Sequence, residues 1–138
     1  MKYPFTFYVD TLPKDVGGCA NGFVIRILKK YKNRDEGIYQ HELLHVKQWA
    51  IPFIIGILLS TFLFGGSIWW TLPAVIGMAV HPVLYLLIDE YKLFTEVEAY
   101  KVQAKYYPDD RIPLFASFIS GYYKLDITTE NALKLLRE

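Results

Sequence analysis

The pattern of apolar and charged positions isolates one long stretch in the middle of the chain. Between residues 49 and 88 no Asp, Glu, Lys or Arg occurs. Gly65-Gly66 divides this stretch into the segments 50–64 and 67–88. The second segment reaches the roughly 20 apolar residues with which a helix crosses a hydrocarbon core. The pattern therefore predicts an apolar helical hairpin over residues 50–88 that inserts into a membrane.

The residues on either side of this hairpin predict shorter elements. Residues 23–28 are apolar and partly β-branched, which predicts a strand. Asp35 suits the N-cap of a helix that begins at Glu36, and this helix is predicted over 36–49. Residues 89–107 contain no proline or glycine and predict a helix, and residues 113–138 predict the C-terminal helices. The expected fold is mainly α with a small N-terminal β element (α+β).

Composition limits the classes of protein that fit. The 138 residues are enough for a single domain, 1–138. A formal net charge of +1 provides no field to recruit nucleic acid. Cys19 is the only cysteine, so an internal disulfide is excluded. A hydrophobic content of 53% and a mean hydropathy of +0.19 are high for a soluble domain and support the membrane hairpin.

Basic residues stand on both sides of the hairpin and predict its orientation. Both ends of the chain are expected on the cytoplasmic side of the cytoplasmic (inner) membrane, because basic loops stay on that side. The alternative is a cytoplasmic soluble protein in which the apolar hairpin is buried.

The sequence His41-Glu42-Leu43-Leu44-His45 predicts a metal site on the helix 36–49. Residues i and i+4 lie on one face of a helix, so His41 and His45 can offer one nitrogen each to a single Zn²⁺. Glu42 projects about 100° away from His41, where it can take a proton from metal-bound water rather than ligate. On the pattern alone, two solvated histidines remain the alternative.

A third ligand must come from elsewhere in the chain. His81 falls inside the apolar span, where a buried histidine with satisfied hydrogen bonds is expected, so a carboxylate is the better candidate. Glu96 and Glu98 both lie on the predicted helix 89–107, about 200° apart, and cannot share one ion. Geometry alone leaves Glu98 as the alternative third ligand, although Lys101 suggests that it forms a solvated i,i+3 pair.

These motifs together resemble a known family. The HExxH motif, the apolar hairpin and then Glu96-Val97-Glu98-Ala99, with Ala104 following, resemble in that order the membrane gluzincin metallopeptidases. This family includes the heat-shock-type quality-control proteases and the CAAX prenyl proteases. The resemblance implies a zincin-like active-site helix and Glu96 as the third zinc ligand. It also implies that the strand 23–28 belongs to an edge-strand region. Tyr100 stands where the family usually has an aspartate that supports a zinc-binding histidine.

The expected function is zinc-dependent endopeptidase activity on a peptide or protein substrate at the membrane face. Glu42 would act as the general base on metal-activated water, and the strand 23–28 would align an extended peptide. Tyr100, Tyr122 and Tyr123 are unranked candidates for supporting a ligand or for stabilising the oxyanion. The alternative is a non-catalytic small membrane protein with a structural metal site or none.

Overall fold

The fold combines five helices with a small N-terminal sheet. The computed structural model describes residues 5–13, 16–65, 71–123 and 125–138, so Gly66, Trp69 and Trp70 of the predicted hairpin lie outside the described residues. The elements are β1 Phe5–Val9, β2 Gly18–Asn21, β3 Val24–Leu28, α1 Glu36–Phe64, α2 Thr71–Leu87, α3 Asp89–Ala104, α4 Ile112–Tyr122 and α5 Thr129–Arg137, with a 3-10 turn at Lys29–Tyr31. The mainly α architecture with a small β element is confirmed.

The three strands form one sheet in the order β1-β3-β2. β1 runs parallel to β3 and β2 runs antiparallel to it. The strand predicted over 23–28 is therefore present, but its prediction as an edge strand is wrong. Both sides of β3 are paired, because the glycine- and proline-punctuated residues before it supply two further short strands that propensity does not reveal. The edge strand that contacts α1 is β2.

Alternation along β3 determines which face of the sheet packs on α1. Ile25 and Ile27 are almost fully buried, whereas Arg26 between them is exposed. This is the period of two expected of a strand with one buried face. Tyr39 and Val46 of α1 complete the cluster, so the sheet is held against the part of α1 that carries the HExxH motif.

α1 begins where the sequence predicts and continues much further. The Asp35 side chain accepts a hydrogen bond from the Ile38 amide at 3.0 Å, which confirms the predicted N-cap. The helix then runs through Pro52 to Phe64. The predicted helix 36–49 and the first arm of the apolar hairpin are therefore one continuous helix. This helix, Glu36–Leu63, is long and apolar enough to cross a membrane.

α2 returns alongside α1 with very close backbone contact. A Cβ added to Gly56 would lie 2.4 Å from the carbonyl oxygen of Pro73, and one added to Gly77 would lie 2.4 Å from that of Pro52. Only glycine permits this approach, which resembles the small-residue contacts between helices in membranes. α3 then starts after Ile88 at an angle of 101° to α2.

α3 lies between α1 and the two C-terminal helices. One of its faces joins a core formed with α4 and α5, whose buried members are Val97, Tyr100, Phe115, Ala116, Ile119, Leu125, Ala132 and Leu136. The adjacent side of α3, which carries Glu96, contacts α1. The amphipathic α5 is capped by Thr128, whose hydroxyl accepts from the Asn131 amide at 3.2 Å. This packing fixes the rotation of α3 and therefore the direction in which its carboxylates point.

Candidate metal centre

The two histidines of the HExxH motif face each other on consecutive turns of α1. His41 is buried, and the side chain of His45 is only 13% exposed. Their Nε2 atoms lie 3.1 Å apart, and the ring centroids are 4.9 Å apart. Two neutral imidazoles that both turned lone pairs toward the same point would repel, so this arrangement suits a shared proton or a shared cation.

α3 places a carboxylate opposite this pair. Glu96 is 2% exposed, and its Oε1 and Oε2 each lie 3.5 Å from an Nε2 atom, that of His45 and that of His41 respectively. His41, His45 and Glu96 thus form a group whose donor atoms all lie within 4.8 Å of one another and that can hold a metal ion. Oε2 of Glu96 has no hydrogen-bond partner among the described residues. A buried anion requires compensation, and a cation between the three groups would supply it.

The alternative ligand Glu98 points elsewhere. Its side chain is 41% exposed and lies 3.3 Å from Nζ of Lys101 on the same helix. The solvated i,i+3 pair that the sequence suggested is therefore present, and Glu98 is not part of the donor group.

Further hydrogen bonds hold His45 and Glu96 of this donor group in place. Nδ1 of His45 lies 2.9 Å from Oε1 of Gln48, whose Nε2 donates to the Thr95 carbonyl at 3.4 Å. Because an amide oxygen only accepts, His45 donates its Nδ1 proton and keeps the Nε2 lone pair for a metal. The Tyr85 hydroxyl donates to Oε1 of Glu96 at 2.6 Å and fixes that carboxylate.

His41 has a different environment. Its Nδ1 has no hydrogen-bond partner among the described residues. The rings of Tyr100 and His41 pack edge to face, with their centroids 4.5 Å apart. The Tyr100 hydroxyl lies 3.1 Å from that of Tyr123 rather than on the imidazole. Tyr100 therefore holds His41 by packing alone.

Of the three tyrosines proposed from the sequence, two lie at the donor group and one lies away from it. Tyr100 and Tyr123 lie at the donor group, and burial together with the negative charge of Glu96 raises the pKa of Tyr123 well above its usual range. Tyr123 is therefore a protonated phenol next to the carboxylate. Tyr122 is 53% exposed and packs against Phe118, so the structure does not bring it to the site.

Glu42 lies between the histidines and strand β2. It is 6% exposed and interacts with the backbone of Ala20. A Cβ added to Gly18 would lie 2.9 Å from Oε1 of Glu42, so glycine is required for the strand to approach this closely. Burial and the charge of Glu42 raise the pKa of Cys19. The carboxylate is thus confined beside the donor group without joining it.

A cavity of about 510 Å³ opens over the donor group. β2 and the turn after it supply part of the wall, and α2 supplies another part through His81, Pro82, Tyr85 and Leu86. His81 is buried and its Nδ1 lies 2.8 Å from the Tyr91 hydroxyl, as expected of a satisfied histidine. The sequence did not place it in the same cavity as His41 and His45.

No family model, curated protein or solved structure matches the chain. The function must therefore be argued from the site itself.

Sequence reasoning missed three residues of the site. Gln48 stands three positions after His45 and was recognisable as a neighbour on the same helix face. His81 and Tyr85 are four residues apart and therefore share one face of α2. Nothing in the apolar pattern around them indicates which way this face points, because both sides of α2 carry apolar residues.

Proposed function

We propose that this protein is a membrane-associated, zinc-dependent peptidase. The observation that carries the proposal is the convergence of two imidazole nitrogens and one buried carboxylate on a common point. Ligand atoms bound to zinc at about 2.0–2.2 Å in a tetrahedral arrangement stand about 3.3–3.6 Å apart. The Nε2 atoms of His41 and His45 lie 3.1 Å apart, and each lies 3.5 Å from a different carboxylate oxygen of Glu96, so an ion between them would have both nitrogens and the carboxylate within reach. Two imidazoles and one carboxylate are also the ligand set of zinc hydrolases that keep a coordination position open.

Zinc bound to such a set lowers the pKa of water toward neutrality and polarises a carbonyl group. Glu42 is the residue of this chain that handles the proton. It accepts a proton from water as the water oxygen bonds to the carbonyl carbon of the peptide. It returns this proton to the nitrogen as the C–N bond breaks, so the products are a carboxylic acid and an amine, which then exchange a proton to become a carboxylate and an ammonium group. Because Glu42 is confined beside β2, its carboxylate stays within reach of the water oxygen and of the peptide nitrogen.

The outer edge of β2 is suited to binding a peptide, which favours a peptide as the substrate. Among the described strands β2 pairs only with β3, so the main-chain groups of its outer edge that Glu42 does not engage can pair with an extended chain. Residues of β2 and of the HExxH motif line the same cavity. A peptide added to this edge would pass over Glu42. This role, which the sequence assigned to the strand 23–28, therefore moves to β2.

Exposed apolar surface supports insertion of the hairpin into a membrane. Phe62 is 87% exposed and Leu86 is 79% exposed. Further exposed apolar residues of the two arms are Ile51, Ile54, Ile55, Leu58, Leu59, Leu63, Leu72, Val75, Ile76, Met78, Val83 and Leu87. Soluble proteins rarely leave so large a contiguous apolar surface in water. The rest of the chain does not cover it, which argues against a soluble protein with a buried hairpin.

The decisive test of the peptidase proposal combines metal content with proteolysis. Purified protein is expected to contain one zinc ion per chain and to cleave an unstructured casein substrate. Glu96→Ala should lose zinc and activity, whereas the matched variant Glu98→Ala should keep both. Glu42→Gln should keep zinc and lose activity. Zinc in the wild type without proteolysis would instead support a non-catalytic membrane protein with a structural metal site.

Membrane insertion and orientation are tested separately. We propose that the ends of the chain are cytoplasmic and that the loop after α1 lies on the far side. In a Cys19→Ser background, Gly65→Cys should react with an impermeant maleimide in intact cells, and Asp126→Cys should react only after lysis. Labelling of Asp126→Cys in intact cells would reverse the orientation, and extraction of the protein by alkaline carbonate would contradict insertion.

A further inference from the structure

We propose that His81 is a catalytic residue that donates a hydrogen bond from Nε2 to the carbonyl oxygen of the scissile peptide as negative charge develops on it. This inference rests on the proposed peptidase function and extends it to a residue of the apolar hairpin. It starts from the position of His81, which is 8% exposed yet lines the cavity over the donor group.

His81 belongs to the site but does not serve as a further metal ligand. It interacts electrostatically with both His45 and Glu96. The donor group whose atoms lie within 4.8 Å of one another nevertheless consists of His41, His45 and Glu96 without His81. His81 therefore lies outside the group that can hold the ion and lines the cavity beside that group.

In this proposal the Tyr91 hydroxyl is the donor in its hydrogen bond with His81, which leaves Nε2 of His81 available. Nδ1 of His81 lies 2.8 Å from the Tyr91 hydroxyl. A phenol donates readily to an imidazole nitrogen, and a neutral imidazole that accepts at Nδ1 carries its proton on Nε2. Tyr91 is thus the positioning residue for the Nε2–H donor. The proposal requires no change in the charge of His81.

Other aromatic donors in the cavity wall are already engaged. The Tyr85 hydroxyl donates to Glu96 at 2.6 Å, and the Trp49 indole donates to the Met78 carbonyl at 3.0 Å. The Tyr123 hydroxyl lies 3.1 Å from that of Tyr100. Among the described residues, Nε2 of His81 has no such partner and can donate to a ligand, whereas Nδ1 of His41, which also lacks a partner, is fully buried.

The reaction has a specific need for such a donor. When Glu42 takes the proton from water and the water oxygen bonds to the carbonyl carbon, the carbonyl oxygen gains the negative charge. A preorganised donor strengthens its hydrogen bond at that moment, and this lowers the barrier without tightening the binding of the planar substrate.

The test compares His81→Leu, which removes the donor, with His81→Gln, which keeps an amide N–H near the position of Nε2. His81→Leu should lower kcat by about 10²–10³-fold with little change in KM. His81→Gln should retain much more activity, and both variants should keep one zinc ion. Tyr91→Phe should lower kcat less than His81→Leu, because the loss of the Tyr91 hydroxyl loosens the imidazole ring of His81 without removing that ring.

A binding measurement supplies a readout that does not depend on turnover. The probes are a phosphinic peptide, whose tetrahedral oxyanion imitates the reacting carbonyl, and the matching peptide with an uncleavable planar linkage. Calorimetry on the zinc-loaded protein should show that His81→Leu loses about 100-fold in affinity for the phosphinic peptide only. An equal loss for both peptides, loss of zinc, or an unchanged kcat would overturn the proposal. If His81→Leu does not fold, the same two affinities are measured in His81→Gln and Tyr91→Phe. A loss of affinity for the phosphinic peptide alone would support the proposal, and an equal loss for both peptides would overturn it.

If the wild type is inactive, the cleavage and binding measurements together distinguish the two proposals. If the zinc-loaded protein cleaves no peptide and Glu42→Gln changes nothing, the proposed function fails. Selective loss of phosphinic-peptide binding in His81→Leu would still establish His81 as an oxyanion-binding residue of this cavity, and absence of that loss would remove both proposals.

Discussion

Replacing Gln48 with leucine should weaken zinc binding although Gln48 is not a ligand. Gln48 accepts the Nδ1 proton of His45 at 2.9 Å and anchors it to α3 through the Thr95 carbonyl. With leucine at position 48, the Nδ1–H group of His45 loses its hydrogen-bond acceptor, and the side chain of His45 is only 13% exposed. An unsatisfied buried donor costs about 1–3 kcal/mol, which agrees with the roughly 10–100-fold loss of metal affinity on removing such partners.

The assay is a competition titration of zinc against a chromophoric chelator with the purified protein in detergent. Gln40→Leu is the matched control, because Gln40 lies about two turns earlier on α1 and donates to Glu36 at 2.9 Å instead. Gln48→Glu should bind zinc at least as tightly as the wild type, because a carboxylate is a stronger acceptor for the Nδ1 proton. Equal zinc affinities for Gln48→Leu and Gln40→Leu would refute this account of His45.

Three further changes test the close contacts of the fold and the coupling of metal to stability. Gly18→Ala should keep zinc but lower kcat, measured on the casein substrate, because the new Cβ would lie 2.9 Å from Oε1 of Glu42 and displace the base. Gly77→Ala should lower the free energy of unfolding by about 1–3 kcal/mol, because its Cβ would lie 2.4 Å from a backbone carbonyl of α1. Gly121→Ala is the control for both, since its Cβ would meet no atom within 4 Å. Chelation of zinc should lower the Tm of the wild type but not that of Glu96→Ala, as scanning calorimetry can show.

The sequence by itself determined the local features of this protein. The HExxH spacing, the cap at Asp35 and the uncharged stretch between residues 49 and 88 each depend on neighbours within a few positions. Helical periodicity, capping and hydropathy act over such distances. The same local logic predicted the solvated pair of Glu98 and Lys101.

Tertiary structure decided everything that depends on the rotation and order of the elements. Glu96 rather than Glu98 faces the histidines because the C-terminal helices pack on the face of α3 that carries Val97 and Tyr100, which leaves the adjacent Glu96 toward α1 and Glu98 exposed. β2 rather than β3 forms the free edge of the sheet because strand order depends on pairing between segments that no local pattern records. His81 and Tyr85 reach the site because α2 packs against α1 through Gly56 and Gly77, a contact between residues distant in the chain. An apolar helix carries no polar stripe to mark its inward face, so only packing could place these two side chains beside the donor group.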